Sequence, residues 1–374
     1  MDVWRHPTPL SPHYDVMLPN VMKHRVVGLF ERINVTHSIW IDDVHRLISD
    51  VRRQNGRRHR RNIRNFRFNV YHKYYEILRW MKSFARINSD LVSLIQVGTT
   101  YEGRRIMALK VLKNERRKVT IWQDALIHAR EWIAGSTLLW LSQRLVRDYR
   151  NHDPDVTSLL ENLDWTVLPV WNIDGYIHTW KEVWMLDRLW RKSRSEVGPF
   201  GCKGVDLNRN FYTPNRGVGV ASENTCSGVY QGNFPFSEPE SSSVSRYLSA
   251  QKLGAFISLH SYAQSLLYPY GYTPAHSLDN DDLVNVICRL WPPSTQVHGK
   301  TYRQGRVIDM AYIVNGGSVD WAHESLCVKY SYGVELRDRG RFGFLLPPRY
   351  IVPTAEEYYA AVIVIAKRVA GNET

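Results

Sequence analysis

Ala125-Leu126-Ile127-His128-Ala129-Arg130-Glu131-Trp132 is the stretch on which the reading of this chain turns. Val119 to Trp122 and Ala125 to Ile127 carry the β-branched and apolar residues of short buried strands, and Ser136 to Tyr149 follows with the spacing of a helix. His128 and Glu131 therefore stand between a strand's carboxyl end and a helix, where an open sheet presents side chains to a cleft. Both residue types bind zinc. A catalytic site needs a third protein ligand and one position left for water, and an H-x-x-E pair by itself is a weak signal.

His260 is the candidate third ligand, because it closes the apolar run Ala255 to Leu259 at another expected strand end. Thr166 to Val170 reads as a further buried strand. Beyond residue 61, helical stretches alternate with such runs, the pattern of an α/β fold whose sheet is covered by helices on both faces. The last helix carries Tyr358, Val362 and Ile365 on one face, and Thr354 with Glu357 predicts a capping box at its start.

Residues 1–61 read as a small α+β unit set before a larger one of residues 62–374. Tyr14 to Leu18 and Ser38 to Ile41 resemble strands, while Val21 to Ile33 and Asp42 to Val51 have helical spacing. The small unit holds 11 Lys/Arg against 6 Asp/Glu and ends in Arg52, Arg53, Arg57, Arg58, Arg60 and Arg61 around Asn55 and Gly56. That run predicts an exposed, flexible linker open to a trypsin-like or furin-like protease at Arg57 to Arg61. Because the net charge of +13 is spread so unevenly, it does not by itself predict a nucleic-acid partner.

With 44% hydrophobic and 23% charged residues the chain has the composition of a folded globular protein. Its apolar stretch Tyr358 to Ala366 is well short of the roughly 20 residues a membrane span needs. Among the four cysteines there is no C-x-x-C pair. Cys202 and Cys226 flank a stretch rich in Gly, Asn, Pro and Ser and are expected to close it as a disulfide. Cys288 and Cys327 are left unassigned.

Further motifs follow His128 to Trp132 in order: Asn172 to Gly175, Arg188 to Arg194, Gly204 to Asn210, His260-Ser261-Tyr262 with Tyr268 to Gly271, Gly316 to Trp321, and Glu335-Leu336-Arg337-Asp338. From about residue 65 onward the chain resembles the pancreatic-type zinc carboxypeptidases, the carboxypeptidase A and B group. The resemblance implies a mixed central β-sheet flanked by helices, and it makes residues 1–61 similar to the later part of that family's inhibitory activation domain. It further implies a secreted monomer acting on peptide and protein C-termini, without nucleic-acid or membrane partners.

Position by position, the resemblance makes His128, Glu131 and His260 the ligands of one zinc ion and Glu335 the general base. Arg191 matches the residue that stabilises the oxyanion, and Asn208, Arg209 and Tyr312 match those that hold the substrate's terminal carboxylate. Arg130, Tyr262 and Phe344 fall at positions lining the adjoining subsites. Val319 stands where enzymes preferring Lys or Arg carry an acid. Val307, Ile308 and Val314 add apolar wall and Gly271 and Gly333 leave room, so an aromatic or large aliphatic C-terminal residue is expected.

The chain departs from the family pattern at its start. Asp2, Trp4, Arg5 and His6 lack the apolar core of a secretory leader, and the first strand and helix of the activation domain are missing. Either translation starts upstream of Met1 or the prosegment is short and inhibits weakly. The triplet Asn34-Val35-Thr36 is a glycosylation sequon that would suit secretion. The rivals are a small-molecule hydrolase using the same metal triad and a catalytically silent peptide-binding homologue.

Overall fold

The structure, a computed structural model, describes residues 2–7, 12–60, 66–111, 119–181, 185–198, 201–214, 216 and 219–371. Arg61, and with it the expected boundary between residues 61 and 62, lies outside them. In chain order the elements are β1 (Asp2–Arg5), β2 (Asp15–Met17), α1 (Lys23–Arg32), α2 (Val44–Arg60), α3 (Tyr74–Ile87), β3 (Val92–Thr99), β4 (Arg105–Val111) and β5 (Val119–Ala125). Then come α4 (Trp132–Arg150), α5 (Pro154–Asn162), β6 (Leu163–Leu168), α6 (Ile173–Thr179), α7 (Pro239–Ser249), β7 (Leu253–His260) and β8 (Ser265–Tyr268). The last are α8 (Asn280–His298), β9 (Arg303–Arg306), α9 (Val307–Met310), α10 (Ser318–Ser325), β10 (Tyr330–Glu335) and α11 (Ile351–Val369).

Eight strands form one mixed sheet in the order β3-β4-β6-β5-β7-β10-β8-β9. The run β6-β5-β7-β10 is parallel, whereas β3, β4 and β8 join antiparallel. Parallel strands at the centre of a sheet are covered on both faces, and β6 is buried at every position. Trp122, Trp165, Phe256 and Tyr332 on these strands are fully buried, each worth about 1.5–3 kcal/mol of apolar transfer. Helix α11 packs against α4 and α8, and α7 against β3. The α/β sheet flanked by helices is as the sequence reading has it.

Several local expectations are corrected. Ala125 to Ile127 is not a second strand: β5 runs unbroken to Ala125 and ends where Leu126 takes φ 58°, a left-handed turn that strands do not continue through. Ser38 to Ile41 forms no strand, because the small sheet of β1 and β2 offers it no pairing, and Ile39 and Trp40 are exposed. The capping box is absent, since Thr354 Oγ1 donates to Tyr350 O (2.7 Å) and Glu357 is taken by Arg337 and Tyr302.

The arginine run is helical up to Arg60. Arginine favours helix about as well as leucine, and Asn55 pins the segment by exchanging two hydrogen bonds with the Tyr71 backbone (2.7 and 2.9 Å). Arg52 also donates to Lys181 O (3.2 Å). Cys202 and Cys226 are bonded, with Cα atoms 5.1 Å apart, while Cys288 and Cys327 are separate exposed thiols. Among the described residues no helix is long and apolar enough to cross a membrane.

Candidate metal centre and cleft

Three neighbouring parallel strands deliver the site. Beyond β5 the chain turns through Leu126 to His128 and Glu131, β7 ends on His260, and β10 ends on Glu335. His128 Nδ1 lies 2.9 Å from Glu131 Oε1, His260 Nδ1 lies 3.1 Å from Glu131 Oε2, and the two Nδ1 atoms are 3.1 Å apart. Among the described residues these three are the group whose ligand atoms converge, all within 4.8 Å of one another and buried. Two ring nitrogens and a carboxylate brought to one point from two strand ends are a donor set that fits zinc, which these three residues would hold.

The outer ring nitrogens support that fit, because each has its own polar partner. His128 Nε2 faces Asp206 Oδ1 at 3.1 Å, and His260 Nε2 faces Ser258 Oγ at 3.2 Å. Asp206 also accepts from Arg191 through Nε (3.0 Å) and Nη2 (2.8 Å). Burial alone would raise the Asp206 carboxyl, but Arg191 and His128 overcome it and hold it well below the usual carboxylate range. The same pair of hydrogen bonds fixes the direction of the Arg191 guanidinium.

Arg209 donates Nη2 to Tyr312 Oη (2.9 Å) and Nη1 to the Asn208 carbonyl (2.6 Å), while Asn208 Oδ1 accepts from Ser318 N (2.9 Å). These contacts bring Asn208, Arg209 and Tyr312 together beside His260, whose Nε2 is 3.4 Å from Asn208 Nδ2. Arg130 stacks on Phe344 with Cζ 3.9 Å from the ring centre, and Tyr262 meets that ring edge-on at 5.0 Å. Val319 is buried and itself uncharged: a Cβ on Gly333 would touch its Cγ2 at 3.5 Å. A Cβ on Gly271 would collide with Val307 and come within 3.1 Å of the Asp320 carboxylate, which accepts from the Gly271 N–H (2.9 and 3.1 Å).

Sequence reasoning gave no role to Asp206, Asp124 or Arg188. Arg188 is buried against Trp132 (3.7 Å) and donates to the carbonyls of Arg130 (2.7 Å) and Phe344 (2.8 Å), so it ties these two residues together. Asp206 stands within the quoted stretch Gly204 to Asn210, and a charged residue amid an apolar, motif-dense stretch was the available signal.

Strand β1 was not foreseen either, and it lies across the cleft. Asp2 pairs with Arg130 (3.2 Å), Trp4 packs on Phe344 (5.3 Å), and His6 packs on Tyr312 (4.8 Å). From β2, Asp15 accepts from Tyr262 Oη (2.9 Å). Burial pushes the His6 imidazole down to about 4, with Arg209 and Arg191 adding to the effect.

A strand-end His-Glu-His centre with an arginine-lined cleft on a mixed α/β sheet is that of a metallopeptidase. The chain belongs to the zinc carboxypeptidase family (peptidase M14), which it matches over residues 77–361. It is 39% identical to carboxypeptidase A2 of Mus musculus over 373 residues, 99% of this chain and 87% of that protein. It is 37% identical to carboxypeptidase A1 of Sus scrofa over 370 residues, 98% of this chain and 86% of that one. The crystal structure of thrombin activatable fibrinolysis inhibitor superposes with TM-score 0.88 at 34% identity, covering 99% and 92% of the two chains. Carboxypeptidase A from Helicoverpa armigera gives 0.89 at 26% identity, covering 99% and 91%. The chain is accordingly a zinc metallocarboxypeptidase, hydrolysing C-terminal peptide bonds.

Proposed function

We propose that this enzyme removes bulky apolar residues from peptide C-termini and is held latent by its N-terminal segment until proteolysis. The observation that carries the preference is the uncharged floor at Val319, with Val307 and the small residues Gly271 and Gly333 around it. Enclosing an apolar side chain there contributes about 1.5–3 kcal/mol, whereas an unpaired charge would be penalised.

His128, Glu131 and His260 would hold the zinc ion, which when bound would supply a Lewis acid for the scissile carbonyl and lower the pKa of water. Glu335, beside that centre, accepts the water proton and hands it to the departing amine. Its carboxyl is pushed up to about 7, chiefly by burial, with His260 opposing and Glu131 reinforcing the rise. Arg191, oriented by Asp206, stabilises the negative oxygen that develops on the carbonyl. The Arg209 fork, with Asn208 and Tyr312, binds the terminal carboxylate, which confines cleavage to the last peptide bond. Arg130, Tyr262 and Phe344 contact the residues preceding it.

Latency is supported by the contacts of Asp2, Trp4, His6 and Asp15 with Arg130, Phe344, Tyr312 and Tyr262, which occupy groups assigned to substrate. Cleavage by a trypsin-like or furin-like protease within Arg57 to Arg61 would release the segment, and secretion as a monomer fits this route. The test is release of Phe from a Phe-ended peptide before and after trypsin treatment. Release that appears only after treatment and disappears with a zinc chelator supports the reading. Equal release from the intact chain would remove latency from it, and none from treated, zinc-loaded protein would favour a silent homologue.

A further inference from the structure

The two imidazoles of the metal centre are supported differently. His128 Nε2 meets a carboxylate directly, whereas His260 Nε2 meets one through a hydroxyl: Ser258 Oγ lies 3.2 Å from the ring nitrogen and 2.6 Å from Asp124 Oδ1. The other Asp124 oxygen accepts from the Trp122 indole (2.8 Å). Asp124 and Ser258 face each other in the β5–β7 ladder. Trp122 and His260 lie two residues away along their strands, so strand alternation brings all four side chains to one face. Trp122, Asp124 and Ser258 are wholly buried and His260 nearly so.

We propose that Asp124, acting through Ser258, is the positioning residue that sets the metal-binding tautomer of His260. An indole only donates and a carboxylate only accepts. The Ser258 hydroxyl must therefore give its proton to Asp124, which leaves its lone pairs to accept N–H from His260 Nε2. A proton on Nε2 leaves Nδ1 bare, and Nδ1 is the atom that converges with His128 and Glu131. Asn208 offers the ring no rival acceptor, because its oxygen is engaged by Ser318 N. Its amide NH2 would by itself favour a bare Nε2, but at 3.4 Å it stands farther from the ring nitrogen than Ser258 Oγ at 3.2 Å, so the Ser258 contact is the one that decides.

The chain of donors runs in one direction only because Asp124 accepts at both oxygens. In Asp124→Asn the volume is unchanged, but Trp122 still demands the oxygen, so the amide NH2 turns to Ser258. The hydroxyl then accepts from that introduced amide and donates onward to Nε2, with the Asn208 NH2 favouring the same polarity. The ring proton moves to Nδ1 and blocks the ligand atom.

The experiment measures the zinc dissociation constant by chelator competition on holoprotein carrying Asp124→Asn, Ser258→Ala, or both. Asp124→Asn is expected to weaken zinc by about 10–100-fold, and Ser258→Ala alone to weaken it by a smaller factor. With the hydroxyl gone, Asp124→Asn has no route to the ring and should add less than about twofold, the non-additivity expected of members of one network. Wild-type affinity in Asp124→Asn would overturn the proposal. So would the same loss on the Ser258→Ala background, which would mean that Asp124 acts through packing alone. If Asp124→Asn does not fold, unchanged zinc affinity in Ser258→Ala overturns it independently.

Discussion

Glu335 and His260 are paired neighbours in the β10–β7 ladder, so a carboxylate and an imidazole leave parallel strand ends side by side. Glu335 Oε2 is buried without a hydrogen-bond partner in the structure, an arrangement suited to a group that exchanges a proton during reaction. Glu335→Gln is expected to lower kcat by about 100-fold to 10,000-fold while leaving zinc content and KM near wild type. Steady-state kinetics with metal analysis checks this. A loss confined to KM would remove Glu335 from the chemical step.

Arg191 is held by two hydrogen bonds to Asp206, so its guanidinium is already oriented before charge develops on the substrate. Arg191→Met should therefore lower kcat by about 100-fold to 1000-fold, the range for losing one oxyanion donor, with a much smaller change in KM. An effect mainly on KM would instead assign Arg191 to ground-state binding.

The N-terminal segment is tied to the cleft by two carboxylates, Asp2 on Arg130 and Asp15 on Tyr262. Replacing both by Asn should raise the activity of the uncleaved chain several-fold and leave the trypsin-treated enzyme unchanged, because the treated enzyme no longer contains either residue. Peptide hydrolysis by the two forms reads this directly. Unaltered activity of the intact double variant would show that the ion pair and hydrogen bond do not maintain latency.

Away from the site, burial pushes the Glu240 carboxyl up to about 7, and its Oε2 has no hydrogen-bond partner. A carboxyl that keeps its proton longer when folded makes stability fall as pH rises, here from the unfolded value near 4.5 through about 7. Glu240→Gln removes that loss. Thermal unfolding should find the variant more stable than wild type at pH 8, by at most about 3 kcal/mol, with the gap closing toward pH 4. A gap independent of pH would contradict the assignment.

What could be read from the chain, and what could not, follows from the range of the interactions. His260 was legible because the apolar strand β7 ends directly on it, whereas His128 and Glu131, which lie beyond the end of β5, were legible through the ordered motifs that carry the family resemblance. Asp124 and Asp206 act on those ligands across strands and loops, and spacing along one strand does not reveal a partner on another. Strand β1 has four residues and needs β2 to exist at all. The arginine run looks like a solvated linker until Tyr71 is seen to anchor Asn55, and Glu357 looks like a cap until Arg337 claims it.

The most direct test of the central claim compares kcat/KM for matched peptides ending in Phe, Arg and Glu, cleaved by the trypsin-treated enzyme. An uncharged floor at Val319 predicts Phe above Arg and Glu by about 100-fold or more, with Val319→Asp shifting the preference toward Arg. Preference of the wild-type enzyme for Arg or Glu would contradict the account.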